Sequence, residues 1–328
     1  MQRKPIILSA LLTAGAFLLT GCGSVTAQNR GSAAEKLRIV CSVFPEYDWT
    51  RQILGSHADD VELYYILAGG ADLHSYQPTM EDMMKIKDSD LFMYIGGESD
   101  TWADDAIAES ANPEMQTVAL LDVLGDNAVE EEIREGMQAE GEGEEDGDAP
   151  EYDEHVWLSL RNAKQVCGVI AEKLCQIDSA NASDYRSNLA AYTQKLDTLD
   201  QEFQTLTDSA EQKTLLFGDR FPFRYFTEDY GLDYYAAFVG CSAETEASFE
   251  TVVFLANKVD ELGLDTVYTI ENSDSSIART IIENTKNKDQ QIAVLNSIQS
   301  VTAQQIRDGA TYLSLMQQNY DVLKASMK

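Results

Sequence analysis

Short apolar runs alternate with stretches of helical period from Leu37 to the end of the chain. Leu37–Phe44, Val61–Leu67, Leu91–Ile95 and Thr117–Leu121 read as strands, and a second set follows at Thr214–Phe217, Tyr234–Val239, Thr266–Ile270 and Gln291–Leu295. Helical patterns lie between them. One opens at Thr79, which can cap while Asp82 occupies the third helical position. Such alternation predicts parallel sheets wrapped by helices, and two sets of four strands predict two similar α/β lobes.

The cleanest periodicity sits between the two sets. Tyr185, Leu189, Tyr192, Leu196, Leu199, Phe203 and Leu206 are spaced alternately four and three apart, one apolar stripe along a helix. From Ser183 to Asp208 that helix spans about 39 Å, long enough to touch both lobes. A coiled coil is the rival reading, but so few heptads between α/β units fit an intramolecular spine more simply. The resulting division is an N-terminal lobe at 37–180, a connecting helix at 181–210 and a C-terminal lobe at 211–328. The last helix, from Tyr312 to Leu323, carries Leu315, Met316, Tyr320 and Leu323 on one side and is expected to pack back on a lobe.

One segment breaks the pattern. Glu130 to Glu154 holds thirteen acidic residues, one Arg and four glycines, too charged to bury a core of its own, and reads as a disordered acidic loop. The N-terminus breaks it differently. Arg3 and Lys4 precede an apolar run, Pro5 to Leu19, that ends in Leu19-Thr20-Gly21-Cys22. That layout reads as a signal peptide over residues 1–21. The tetrapeptide resembles the lipobox of bacterial lipoproteins, which makes Cys22 the lipidation site and 22–36 a flexible tether. No other stretch approaches the ~18 apolar residues of a membrane span.

The formal charge is −32, and it becomes two units more negative once Arg3 and Lys4 are removed. Such a surface disfavours nucleic acid and favours cations. Cys167 and Cys175 lie about 12 Å apart on a predicted helix, too far to bridge. Cys41 and Cys241 end predicted strands and form the candidate disulfide in an oxidising compartment; two separate buried thiols are the alternative.

Three histidines carry the candidate chemistry. His57 lies in a polar turn and reads as neutral to function. His74 sits in a loop that leaves a strand and enters a helix, where α/β sheets bind ligands. His155 closes the acidic loop. Singly, each is most simply a hydrogen-bonded histidine.

Together their surroundings resemble a known family. Asp72-Leu73-His74-Ser75-Tyr76-Gln77-Pro78-Thr79, followed by a helix and Ser89-Asp90-Leu91-Phe92-Met93-Tyr94, is similar to the first ligand loop of the zinc and manganese substrate-binding proteins of ABC transporters. Asp153-Glu154-His155-Val156-Trp157-Leu158-Ser159 is similar to their second. The likeness extends to the long helix, to Ser242 and Glu246, and to Tyr312 through Asn319, so it covers essentially all of 37–328. It implies two four-stranded α/β lobes joined by one rigid helix, with a metal in the cleft between them.

The resemblance also implies a ligand set. His74 and His155 supply imidazoles, and Glu271 matches the family's carboxylate after a late strand, although the loop onward to Ala278 is one residue shorter. The third position departs. The family carries His there, or Glu in manganese binders, whereas this chain places Arg220 ahead of Phe223-Arg224-Tyr225. A guanidinium has no lone pair for a metal. Asp219 is therefore the expected substitute, Glu244 and Glu46 are weaker ones, and Arg220 is expected to ion-pair with Glu244 or Glu246.

These readings predict a Zn2+ receptor, with Mn2+ as the alternative metal. Its partners are a permease and, through the lipid, the outer face of the cell membrane; the chain is expected to be monomeric and not an enzyme. A zinc hydrolase would need a third ligand, a water and a base, and no His-Glu-x-x-His spacing is present. A lipoprotein adhesin is a further reading, but it has no need of paired histidine loops.

Overall fold

The computed structural model describes residues 36–138, 151–242 and 246–327. The signal peptide, Cys22 and the tether as far as Glu35 lie outside the described residues, as do 139–150 of the acidic loop and Glu244. The described residues belong to one compact unit.

Its first half holds strands β1 (Leu37–Cys41), β2 (Val61–Tyr65), β3 (Leu91–Tyr94) and β4 (Gln116–Ala119). Helices α1 (Phe44–Leu54), α2 (Met80–Lys87) and α3 (Trp102–Ala108) cross between them, and the short α4 (Leu120–Leu124) follows β4. Then come α5 (Leu160–Ile177) and α6 (Ala182–Ser209). The second half repeats the plan with β5 (Thr214–Phe221), α7 (Arg224–Tyr230), β6 (Asp233–Val239), α8 (Phe249–Leu262), β7 (Thr266–Ile270), α9 (Ser276–Asn284) and β8 (Gln291–Leu295). It closes with α10 (Ala303–Arg307) and α11 (Tyr312–Ser326).

Both sheets have four parallel strands, in orders β2-β1-β3-β4 and β6-β5-β7-β8. The two orders are the same, so the halves share one topology without a visible sequence repeat. Each order reverses beside its first strand, where crossovers leave in opposite directions and open a crevice at the strand carboxyl ends.

Local chemistry explains most boundaries. The first strand ends at Cys41 rather than Phe44, because Glu46 accepts the amides of Ser42 and Val43 and starts α1, with Pro45 in its first turn. Thr79 and Asp82 cap α2 reciprocally, as the sequence predicts. The fifth strand runs on through Phe221, past a bulge between Phe217 and Arg220. Gly218 sits at that bulge because an added Cβ would lie 2.6 Å from the Ala278 Cα of α9.

Helix α6 is about 42 Å long by its 28 residues. It buries Tyr185, Tyr192, Leu196, Leu199 and Phe203 and touches α1 and α5 on one side and α7 and α11 on the other. One apolar core therefore runs between the sheets, from Ile39 and Trp49 through Phe203 to Phe217 and Tyr268. A smaller cluster under α8 and α9 covers the far face of the second sheet. The amide of Tyr312 donates to Asp48 Oδ2 at 3.0 Å, tying α11 back to α1.

Two expectations need correction. The roots of the acidic loop are ordered: Glu130 bridges Tyr152, and the Glu131 amide donates to the Glu151 carbonyl at 2.8 Å. Arg134 lies 3.9 Å above the Tyr234 ring, and the Gln138 amide donates to the Ala237 carbonyl. Charge density averaged over the whole segment hides these anchors. The candidate Cys41–Cys241 bridge is absent, and the alternative of two separate thiols is what the structure shows. Cys41 is sealed in the first sheet's core, whereas Cys241 follows β6 of the other sheet.

Candidate metal centre

His74, Glu271 and Cys241 follow the carboxyl ends of β2, β7 and β6, and Asp219 and Arg220 lie near the end of β5 at its bulge, so both sheets aim at one place. The loop after β2 brings Asp72 and His74, with the Asp72 side chain accepting the His74 amide at 3.0 Å. The returning root of the acidic loop brings Asp153, Glu154 and His155 ahead of α5. Trp157 anchors that root across the molecule, its Nε1 donating to the Ser297 carbonyl at 2.8 Å.

The two imidazoles meet. His74 Nε2 lies 3.2 Å from His155 Nε2, with ring centroids 5.1 Å apart. Their outer nitrogens are held from behind. His74 Nδ1 lies 2.8 Å from Ser99 Oγ and 3.4 Å from Glu154 Oε2, and His155 Nδ1 lies 3.1 Å from Asp153 Oδ1. A carboxylate behind Nδ1 fixes ring orientation and raises the basicity of Nε2, which is how proteins prepare histidine ligands. Zn–N bonds of about 2.0–2.1 Å set a tetrahedral edge of roughly 3.3–3.4 Å, so the paired Nε2 atoms already stand close to that spacing.

Electrostatics separate the two rings. Burial holds the His74 imidazole below the ordinary histidine value, and the neighbouring His155 adds to that against the pull of Glu154. Burial also opposes charge on His155, but Asp153, then Glu154 and Glu131, outweigh it and raise its pKa. Gln299 Oε1 completes the surround, 3.1 Å from His155 Nε2.

The second half faces this pair across a cavity of about 590 Å³, lined by Asp72, His74, Asp219, Arg220, Glu271 and Gln299 among others. Glu271 accepts the Ser297 amide at 2.6 Å and the Ser297 hydroxyl at 2.7 Å. Burial lifts its pKa despite those bonds and the Arg220 charge. Asp219 uses both oxygens on backbone, taking the amides of Arg220 and Ile270 at 2.9 and 3.3 Å. It braces the end of β5. Glu46 is fully buried in the first half, where one of its oxygens takes the Ser42 and Val43 amides. His57 meets Asp184 at 2.9 Å on the surface of α6.

Arg220 departs from expectation. Its Nη2 donates to Asp72 Oδ2 at 2.6 Å and its Nη1 to the Ser242 carbonyl at 3.1 Å, so it links the two halves across the cavity mouth. Glu246 lines the same cavity without taking that bond. Among the described residues, the only group of three metal-binding side chains with mutually close ligand atoms is His74, His155 and Cys241, all within 4.8 Å. Sequence reasoning missed Cys241 because it was weighed only as half of a disulfide or as a buried thiol, and not as a ligand. The signal that could have found it is a cysteine directly after a strand whose carboxyl end faces the histidine loops.

Known proteins agree with this architecture. Residues 39–326 match the family model described as zinc-uptake complex component A, periplasmic. The chain belongs to the ZnuA family. It is 30% identical over 326 residues to the zinc-binding lipoprotein AdcA of Streptococcus pneumoniae (strain ATCC BAA-255 / R6), covering 99% of this chain and 61% of that protein. The chain thus spans about three-fifths of the length of its AdcA relatives. The high-affinity zinc uptake system protein ZnuA of Bacillus subtilis (strain 168) is 28% identical, over 94% of each chain. Among solved structures, the Zn(II)-bound ZnuA-like domain of Streptococcus pneumoniae AdcA matches with a TM-score of 0.69 at 27% identity, over 89% of this chain and 99% of that one. The metal-dependent lipoprotein YcdH of Bacillus subtilis matches with a TM-score of 0.72 at 26% identity, over 89% and 99%. This ZnuA-family chain has four parallel strands in each half, and the loops that carry His74 and His155 meet between them.

Proposed function

We propose that the chain is the extracytoplasmic receptor of an ABC importer, which captures Zn2+ between its two halves and delivers it to a membrane permease. The observation that carries this reading is the pair of imidazole Nε2 atoms 3.2 Å apart, each ring braced from behind by a carboxylate. His74 and His155 hold the ion, and Glu271 is the carboxylate that faces them from the second half. Neutral imidazoles favour zinc over manganese, which prefers oxygen donors. The zinc-binding relatives point the same way.

The Leu19-Thr20-Gly21-Cys22 signature supports export and lipid anchoring at Cys22, with 1–21 removed and 22–36 as tether. The relative described as a zinc-binding lipoprotein supports the same location. The acidic loop, whose ordered roots end at His155, is suited to gathering cations near the site.

Metal analysis and competitive titration test the proposal. The purified chain is expected to hold about one Zn2+, and His74→Ala or His155→Ala is expected to weaken zinc binding by more than ~100-fold. Wild-type affinity in both variants would overturn it.

A further inference from the structure

We propose that Cys241 is a third ligand of the captured metal, its thiolate joining the imidazoles of His74 and His155. The proposal deepens the receptor reading above and rests on its two histidines.

Geometry places the sulfur there. Cys241 Sγ and one ring nitrogen from each histidine lie within 4.8 Å of one another. With Zn–N of about 2.0–2.1 Å and Zn–S of about 2.3 Å, the N···S edge of a tetrahedron is roughly 3.6 Å. The thiol therefore needs to close by at most about 1.2 Å, within reach of a side-chain rotation.

The backbone around Cys241 is built to hold it against the rings. Gly240 makes the approach: an added Cβ would sit 2.9 Å from the Phe221 carbonyl and 3.1 Å from the His155 ring. The Cys241 amide donates to Glu131 Oε1 at 3.0 Å, which fixes the cysteine to the root of the acidic loop. On the other side the Ser242 carbonyl takes Arg220 Nη1, and the same guanidinium grips Asp72, two residues from His74. Arg220 thereby positions the cysteine's loop and the His74 loop with one side chain. It is a positioning residue and offers the metal no lone pair.

The surroundings of the thiol fit a ligand better than a core residue. Cys41 and Cys167 are fully enclosed by apolar core. Cys241 instead lines a separate cavity of about 270 Å³ beside His74, whose wall includes Glu98, Ser99, Glu131 and Glu154. The thiol thus sits among carboxylates rather than apolar side chains, and it is a free cysteine. As a metal arrives, the S–H bond breaks, its electron pair forms the metal–sulfur bond, and the proton leaves to solvent. Two neutral imidazoles and a thiolate leave a net charge of +1 on a bound dication, which the single carboxylate of Glu271 can neutralise from the second half. A thiolate also sharpens the choice of zinc over manganese.

Cobalt substitution of the intact chain is the test. Co2+ bound to the wild-type protein is expected to show a near-ultraviolet thiolate-to-metal charge-transfer band, a readout that needs no variant. Cys241→Ser is expected to lose that band while still binding Co2+, to weaken zinc by more than ~10-fold, and to leave Mn2+ binding nearly unchanged. A wild-type cobalt complex without the band overturns the proposal, as does Cys241→Ser with unaltered zinc affinity; if the histidine variants then still lose zinc, the receptor reading stands without it. Retention of zinc by the histidine variants removes both.

Discussion

Six carboxylates, Glu46, Asp48, Asp82, Asp100, Asp153 and Glu154, are enclosed in the first half of the molecule together with His155. Among the described residues the second half encloses only uncharged polar side chains, such as Thr251, Thr269, Ser297, Gln299 and Asn319. Burying a charge is costly unless it is paired or hydrogen-bonded, so the contrast reflects two ways of building a site. In the first half the carboxylates are held by local hydrogen bonds, although one oxygen each of Glu46 and Glu154 has none. Asp100 accepts the amides of Ile95, Gly96 and Gly97, Glu46 those of Ser42 and Val43, Asp153 the His155 amide and ring, and Glu154 the Ser99 amide, with its other oxygen 3.4 Å from His74 Nδ1. Asp153 and Glu154 direct a negative field at the imidazoles before any cation arrives. The second half supplies neutral dipoles, Glu271 at the cavity edge and the Arg220 link.

The backbone differs as well. Around the cavity the first half uses glycines where φ is positive, at Gly70 and Gly96. The second half forces ordinary residues into that region, at Asn272, Ser275 and Ile298, just after β7 and β8. Ile298 is fully buried and β-branched, so surrounding packing must hold it there. Charge shapes one wall of the site and backbone strain the other.

The largest test of this asymmetry exchanges a partner behind the same ring. Asp153→Asn removes the charge behind His155 and is expected to weaken zinc binding by about 10–100-fold, as loss of a carboxylate behind a ligand histidine does. Gln299→Ala removes the second half's neutral partner of that ring and is expected to cost no more than a few-fold. Equal losses in competitive zinc titration would break the comparison.

A second test reads the buried charge through stability. Burial pushes the Glu46 carboxyl up to about 8, with one oxygen carrying all three of its hydrogen bonds and the other none. Its folded pKa thus stands above its unfolded value. The folded state keeps a proton that the unfolded state releases between roughly pH 4.5 and 8. The associated stability is complete below that window and is lost as pH rises through it. Melting temperature is expected to fall from pH 5 to pH 8, and Glu46→Gln is expected to flatten that fall, by an amount on the order of a few kcal/mol at pH 8. A slope unchanged in the variant would show that Glu46 is not the group responsible.

How much of this was legible in sequence follows the same divide. The strands were visible because runs such as Thr266–Ile270 are wholly apolar or β-branched, and α6 because its stripe holds one face over seven residues. The histidine loops were visible because short motifs carry them. The tail of β5 was not, since Gly218, Asp219 and Arg220 interrupt the apolar pattern at a bulge that only the close approach of α9 explains. The partner of Arg220 was sought among nearby glutamates and proved to be Asp72, on the opposite half. The place of Cys241 beside the histidines was hidden for the same reason: which strand end faces which loop is set by topology, and residue spacing does not encode it.

The smallest effects come from swapping the two backbone solutions. At Gly70, φ is +77°, and an added Cβ would meet Thr302 Cγ2 at 2.8 Å, so Gly70→Ala is expected to destabilise by about 1–2 kcal/mol. Ser275 is the reverse case. It opens α9 at φ +57° and ψ +23°, yet its side chain makes no capping bond to the helix amides, so the serine contributes little in exchange for its conformation. Glycine adopts that region freely. Ser275→Gly is therefore expected to stabilise by about 0.5–1 kcal/mol despite the greater freedom it gives the unfolded chain, raising the melting temperature by a degree or two. The Ser275 amide can still donate to Ser273 Oγ, 3.2 Å away, so the loop after Glu271 keeps its shape. Zinc affinity should then stay at the wild-type value. A gain in stability accompanied by a loss of affinity would mean that strain at this loop helps to present Glu271, and that the second half's backbone takes part in binding the ion.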